Sequence, residues 1–573
     1  MENCGLAVSG TDGGPLLAAV ALVAIGIGAA LVLMGRRRRR SALLAAAPLL
    51  IAALLVSSAA APPAASAATD ECPVTAPTSA PTTSPTGGPV DFQPGAAWIG
   101  DDYFPLDGNG GYDVQHYAID LSYNPASDEL AGSVTITAVA TQNLSAFNLD
   151  FDTRDVDGTD AIVIGAVTVN GASADWSLAT TQISAETGQP QAEGSDDANA
   201  TPPRTEVTVV PAQGIPAGAT ITTTVAYSGV PITIDDAFGP AGVFHTETGA
   251  VIVGQPRVAA TWFPSNDHPS DKATFSTRMT VPSGLEVVGN GRLAGQTDNG
   301  ATTTWDWEMD APMATYLATA TVGEYLISEQ DVDGIAYYNA IDATLFDREA
   351  DGGGATVGEV ATTIFESEPE VIDFLEQSFG PYPFAEAGGI AIGYIGPDED
   401  LPYALENQTR PIYPAWAFPA DADASVVVHE LAHQWYGDSV AMARWSDIWL
   451  NEGFATYAEW LWSESQGGPT PQETFDDFYA NADDEFWATV VADPGAAGIF
   501  DAPVYYRGAM ALHALRTEVG DDAFFAIIQG WAADNAGGAA TTEQFIEYAQ
   551  QVSGQDLSTL FDGWIFTPSK PAL

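Results

Sequence analysis

The string Val428-His429-Glu430-Leu431-Ala432-His433 carries two imidazoles four residues apart, with a carboxylate beside the first. In a helix, residues four apart share a face, so His429 and His433 can present two nitrogens to one cation. Glu430 then stands where a carboxylate can take a proton from a water that the cation activates. Imidazole and carboxylate donors with one open position suit zinc. The third ligand indicated is Glu452, in Trp449-Leu450-Asn451-Glu452-Gly453-Phe454-Ala455-Thr456-Tyr457. Two neutral imidazoles and one carboxylate leave a zinc site near +1, which lowers the pKa of bound water toward ~7. The alternative for Glu452 is a solvated helix-surface acid. Its neighbours Trp449, Leu450 and Phe454 are apolar, and an unpaired carboxylate among them would be costly. The alternative for the histidines is an ordinary helix that happens to carry both. The whole chain has six His, and two of them fall at this spacing.

These residues need helices to hold them. Apolar spacing predicts a helix over 424–436, with Asp423 or Ser425 near its N-cap and Gly437 just past its end. A second helix is expected over 446–464 with Ser446 as cap, so that a short connection folds Glu452 back onto the metal. A helix over 357–379 stops at Gly380-Pro381. Further helices are expected over 508–519 and 541–552, and strands over 389–396 and 401–413. Before these, from 91 to 325, the pattern is one of strands. Ser133-Val134-Thr135-Ile136-Thr137 and Ile221-Thr222-Thr223-Thr224-Val225-Ala226-Tyr227 alternate, with Thr223 the one polar residue on the inner face of the second. Asn170-Gly171, Asn290-Gly291 and Asn299-Gly300 supply turns. The expectation is an antiparallel β domain over 91–325 with nothing catalytic visible in its body, followed by a catalytic domain over 326–573.

Composition bounds the partners. The chain has 573 residues, 17 Lys plus Arg against 76 Asp plus Glu, and a formal charge of −59. Nucleic acid is excluded, because phosphates would meet a field of the same sign. Two cysteines exclude a disulfide scaffold and a Cys-rich metal site. Arg36 to Arg40 stand together between two apolar runs, 16–34 and 42–56, and a small-residue stretch ends at Ala65-Ser66-Ala67-Ala68. Residues 1–68 therefore read as a membrane hairpin or a signal segment, and either one exports everything after residue 69. If the segment is retained, Cys4 and Cys72 lie on the same side and can pair. Residues 69–90 are a Thr/Pro/Ser-rich linker. The expected location is the extracellular face of the membrane or the medium.

His429-Glu430-x-x-His433 with Glu452 in an Asn-Glu-Gly-Phe-Ala context resembles the membrane alanyl aminopeptidase family, the gluzincins that include leukotriene hydrolase. Tyr403-Ala404-Leu405-Glu406-Asn407 resembles that family's G-x-M-E-N exopeptidase motif. Tyr505-Tyr506-Arg507-Gly508 resembles its Y-x-K-G segment, and Trp262-Phe263-Pro264-Ser265-Asn266-Asp267 its F-P-x-x-D segment. Gly380-Pro381-Tyr382-Pro383-Phe384 fits as well. The resemblance implies an α+β multidomain fold: a saddle-like antiparallel β domain, then a thermolysin-like, mainly helical zinc peptidase domain. It implies one Zn2+ per chain and peptide substrates with a free N-terminus. Glu430 would be the general base, and Tyr505, with Tyr506 as rival, the donor to the oxyanion. Glu406 would bind the substrate ammonium, with Gln255 hydrogen-bonding the same group. The alternative activity is that of a thermolysin-like zinc endopeptidase. Tyr403 stands where the family has Gly, Leu405 where it has Met, and Arg507 where it has Lys. The chain ends soon after Trp564, so a helical C-terminal domain found in longer relatives is expected to be missing and the cleft more open.

Overall fold

The computed structural model describes residues 91–191, 201–396 and 399–573. The segments expected over 1–68 and 69–90, and any pairing of Cys4 with Cys72, lie outside the described residues. Among the described residues no helix is long and apolar enough to cross a membrane.

Period-two alternation builds the first half. Strand Thr220–Gly229 buries Ile221, Thr223, Val225 and Tyr227 and turns the residues between them outward. It belongs to an eight-stranded sheet whose centre is Ala273–Pro282, Tyr112–Asn124, Glu129–Ala140 and Thr220–Gly229. Within this sheet the expected antiparallel pairing is broken once: Ala273–Pro282 runs parallel to Tyr112–Asn124. These strands are far apart in sequence, so the connection is long enough for the crossover that a parallel pair requires. A four-stranded and a five-stranded sheet complete this half.

A buried polar knot lies within this β domain. The Arg204 guanidinium lies 2.9 Å from Asp107 and 3.3 Å from Asp152. Asp150 accepts hydrogen bonds from the Asp267 amide (2.8 Å) and the Asn109 side chain (3.1 Å). Asp267, the acid of the Trp262–Asp267 motif, accepts from the Thr315 hydroxyl at 2.7 Å. Thr315 immediately precedes Tyr316, a residue of the site described below.

From Tyr325 the strands join a different sheet. Tyr325–Val332 pairs antiparallel with Ile335–Asp342, and Ile335–Asp342 carries the short parallel strands Glu386–Ala387 and Ile390–Ala391, the latter followed by Ile412–Tyr413. The expected strands over 389–396 and 401–413 shrink to these pairs. Residues 405–412 instead close a turn through a bridge between Leu405 and Ile412. Inside it the Arg410 guanidinium donates to the carbonyls of Tyr338 (3.0 Å), Gly291 (2.5 Å) and Ala387. A side chain thus satisfies carbonyls that a longer ladder would have paired.

The expected helix over 357–379 is two helices, α1 (Val357–Glu366) and α2 (Glu368–Phe379). Pro369 in the first turn of α2 breaks the run, because it lacks an amide donor and crowds the residues before it. Thr356 and Glu359 cap α1 reciprocally. Then come α3 (Ser425–Ala432), α4 (Trp449–Ser465) and α5 (Ala502–Val519). Ser446 is not the cap of α4 but lies within a 3-10 turn, Trp445–Asp447. α5 begins at Ala502 rather than Gly508, with Pro503 in its first turn, where proline fits without loss. Thr542–Ser553 carries a capping box, and Pro471–Asn481 and Asp521–Asp534 are helices that periodicity did not single out.

Helices α4 and α5 cross backbone to backbone at Gly453 and Gly508. A Cβ on Gly508 would sit 3.0 Å from the Gly453 Cα, and one on Gly453 would sit 3.0 Å from the Gly508 Cα and carbonyl carbon. This contact brings the first turn of α4, with Glu452, against the turn of α5 that carries Tyr505. Alanine at Gly508 gains up to ~1 kcal/mol of helix propensity. Overpacking against a backbone that cannot rotate away costs about 1–3 kcal/mol. Gly508→Ala is therefore expected to lower the thermal midpoint, which thermal denaturation of the variant beside wild type checks.

Candidate active site

Helix α3 starts at a turn in which the Asp423 carboxylate accepts from the Ser425 amide (3.1 Å) and hydroxyl (2.6 Å). Ala424 between them takes a left-handed conformation, φ 64°. This fixes the phase of a helix that buries Val427, Val428 and Leu431 and turns His429 and His433 toward α4. His433 is the residue that ends α3. Glu452 lies in the first turn of α4.

The three meet. Glu452 Oε2 is 3.4 Å from His429 Nε2 and 3.4 Å from His433 Nε2. The ligand atoms of the trio all lie within 4.8 Å of one another. Each imidazole is engaged on its other nitrogen. His429 Nδ1 is 2.6 Å from Glu459 Oε1, and His433 Nδ1 is 3.1 Å from the Tyr436 carbonyl. Acceptors at both Nδ1 atoms hold a ring proton there and raise ligand basicity, so each Nε2, which faces Glu452, is the nitrogen that exchanges its proton for a cation. Glu459 was not singled out from the sequence. It follows Glu452 by two helical turns on α4, and that spacing was the available signal.

Electrostatics also call for a cation. Glu406, Glu430 and His433 have ligand atoms within 4.8 Å of one another, and His433 also meets Glu452, so three carboxylates gather around this buried imidazole. Burial, with Glu406 and Glu452 adding to it against the pull of the imidazoles, pushes Glu430 up to about 8. Burial also opposes charge on Glu452, but His433 and His429 overcome it and hold that carboxyl at about 2. Burial works against protonation of both imidazoles, yet the facing carboxylates raise both. The protein groups alone thus balance the carboxylates by keeping protons on the imidazoles. A divalent ion at the focus of the two Nε2 atoms and Glu452 takes over from those protons, and the donor set of two imidazoles and one carboxylate fits zinc.

Glu406 stands on the turn closed by Leu405 and Ile412. Its Oε1 accepts from the Tyr316 hydroxyl at 2.8 Å and from Gln255 Nε2 at 3.3 Å. Its carbonyl accepts from Gln434 on the α3 side at 3.3 Å, and Asn407 donates to the Leu317 carbonyl at 2.9 Å. The β domain therefore supplies two of the site's side chains, Gln255 and Tyr316. Tyr316 had no signal in the strand pattern, and its role emerges only where Thr315 is anchored to Asp267.

The Tyr505 ring lies nearly parallel to that of His429, centroids 6.2 Å apart. Its phenol is pushed well above the usual range by burial and by Glu452, Glu406 and Glu430, so it remains a hydrogen-bond donor. Tyr506 stacks on Phe478 at 4.7 Å instead. Arg507 points away from the metal ligands and donates to carbonyls of Trp487 (3.0 Å), Thr489 (2.9 Å), Gly563 (3.1 Å), Thr567 (2.7 Å) and Ser569 (3.1 Å). The planar five-donor fork suits that cage, which an ammonium could not span.

A β-sheet domain followed by a helical domain with this metal set defines a zinc metallopeptidase fold. Residues 365–564 match the model for the peptidase family M1 domain, and residues 113–317 match that for the peptidase M1 N-terminal domain. The M1 zinc metallopeptidase from Deinococcus radiodurans superposes with a TM-score of 0.67 at 28% identity, covering 83% of this chain and 99% of that one. Yeast LTA4 hydrolase, at 18% identity and a TM-score of 0.60, shares the fold. The aminopeptidase N of Streptomyces lividans is 28% identical over 328 residues, and the aminopeptidase M1 of Arabidopsis thaliana 27% over 333. The chain spans about a third of the length of these two relatives, 36% of each. The chain belongs to peptidase family M1.

Glu459→Gln removes the charge behind His429 while keeping its shape. Zinc affinity is expected to fall about 10–100-fold, read by titration against a competing chelator. An unchanged affinity would show that Glu459 does not tune the ligand.

Proposed function

We propose that this protein is a zinc-dependent aminopeptidase, acting outside the cell, that releases N-terminal residues from peptides. The observation that carries the reading is the buried Glu406 carboxylate beside the metal-ligand set, held by Tyr316 and Gln255. A carboxylate placed there recognises a substrate's free α-ammonium, which an internal peptide bond cannot offer. The relatives named aminopeptidases support it, as does a Deinococcus radiodurans M1 variant solved with the tripeptide Tyr-Ser-Ala as its substrate. Export rests on the sequence of residues 1–68.

His429, His433 and Glu452 would hold the zinc. Bound there, zinc supplies Lewis-acid chemistry, polarising a carbonyl and making water a better nucleophile at neutral pH. Glu430 takes the proton of the attacking water and passes it to the leaving amine. Its carboxylate lies within 4.8 Å of a ligand atom of His433 and of Glu406, which puts it on the metal side of α3. Tyr505, kept protonated, donates to the substrate carbonyl oxygen as it gains negative charge. Glu406 and Gln255 hold the ammonium and thereby fix which peptide bond faces Glu430. Orientation of this kind turns binding energy into rate.

Glu430→Gln is expected to retain zinc and to lose about 10²–10⁴ in kcat. Tyr505→Phe is expected to lose about 10²–10³ in kcat with little change in zinc content. Kinetics and metal analysis on the same preparations check both. The reading itself is tested by comparing an aminoacyl chromogenic substrate with its N-acetylated form, with and without chelator. Cleavage of the free form alone, abolished by chelator, is expected. Equal cleavage of the blocked form would make this a zinc endopeptidase.

A further inference from the structure

Tyr403 stands three residues before Glu406, where the family's motif has a glycine, and its side chain leaves the catalytic domain. Its hydroxyl donates to the Pro240 carbonyl of the β domain at 2.5 Å. Pro240 lies in the second strand of a hairpin formed by Thr233–Asp236 and Gly239–His245. The ring lies against Gly239: a Cβ there would be 3.3 Å from Tyr403 Cε1, and Gly239 has a φ of +103°. A larger residue at 239 would be strained and would displace the ring.

These contacts form a closed circuit around the ammonium site. Glu406 accepts from Gln255. Two residues on, Arg257 donates to Asp236 at 3.0 Å within a buried ion pair, which anchors the first strand of the hairpin. The hairpin turns back to Pro240, which Tyr403 meets, and three residues return the chain to Glu406. The phenol feels the carboxylates of both Asp236 and Glu406. Tyr403 is half-buried.

We propose that Tyr403 is a specificity-determining residue: its ring, tethered to the Pro240 carbonyl, walls off the groove beside Glu406 and limits the size of the N-terminal side chain that the site accepts. This rests on the aminopeptidase reading above. With glycine at 403 that side of the groove would be bounded only by the hairpin backbone. The ring fills the space a larger substrate side chain would need, and shape exclusion of this kind is worth about one to two orders of magnitude between substrates.

The test uses the zinc-loaded full chain and two unblocked chromogenic substrates, alanyl and phenylalanyl p-nitroanilide. The readout is the ratio of kcat/KM for the phenylalanyl to the alanyl substrate. In Tyr403→Gly, and in Tyr403→Ala as the more conservative truncation, the ratio is expected to rise about tenfold or more over wild type. In Tyr403→Phe, which keeps the ring and loses the tether, it is expected to stay within about twofold. A ratio that is unchanged or lower in the truncated variants overturns the proposal. A shift in Tyr403→Phe as large as that in Tyr403→Gly overturns the ring as its cause. Loss of zinc or folding in Tyr403→Gly leaves the other two variants to decide. If wild type cleaves the N-acetylated forms as well as the free ones, the aminopeptidase reading falls and the proposal with it.

Discussion

Everything in the catalytic half is arranged around the cost of placing Glu406, Glu430 and Glu452 in one buried space. Carboxylates without partners would not remain charged there. The structure meets that cost with two imidazoles aimed at Glu452 and with a donor set that a divalent ion completes. Each imidazole is held from behind, by Glu459 and by the Tyr436 carbonyl, so the pair is organised before any ion arrives. Because the ligands come from α3 and α4 and the phenol from α5, the packing of those three helices is part of the site's chemistry. The bare crossing at Gly453 and Gly508 is its tightest point.

The β domain is more than a platform. Arg204 and its aspartates hold Asp267, Asp267 holds Thr315, and Tyr316 follows and donates to Glu406. Gln255 reaches the same carboxylate from the segment that ends in the Arg257–Asp236 pair. Under the proposed function, recognition of a substrate terminus would draw on both domains, whereas the residues that would hold the metal come from one.

What could be read in the sequence follows the reach of local rules. The His429–His433 pair and Glu452 were legible because helical spacing and an apolar setting constrain them strongly. The β domain was legible as alternation, though not the parallel pairing at the centre of its largest sheet, which depends on residues far apart in the chain. Glu406 was found through resemblance, since nothing local separates it from an edge-strand acid. The segments around it form a turn rather than the expected long strands, because the Arg410 side chain within the turn satisfies carbonyls of neighbouring segments, at Tyr338 and Gly291, a contact that no periodicity encodes. Tyr316 was invisible for the same reason. Pro369 and Pro503 did carry local signals, one splitting a helix and the other starting one, and each moved a boundary that apolar spacing alone had set elsewhere. The choice between Tyr505 and Tyr506 is one of helix phase, and the stacking of Tyr506 on Phe478 shows which ring faces His429.

The most direct test of this account is the position of the metal itself. Anomalous diffraction at the zinc edge, from crystals of the purified protein, should show one ion bonded to His429 Nε2, His433 Nε2 and a Glu452 oxygen at about 2.0–2.2 Å. An ion bound elsewhere, or one that leaves Glu452 outside its coordination, would contradict the central claim.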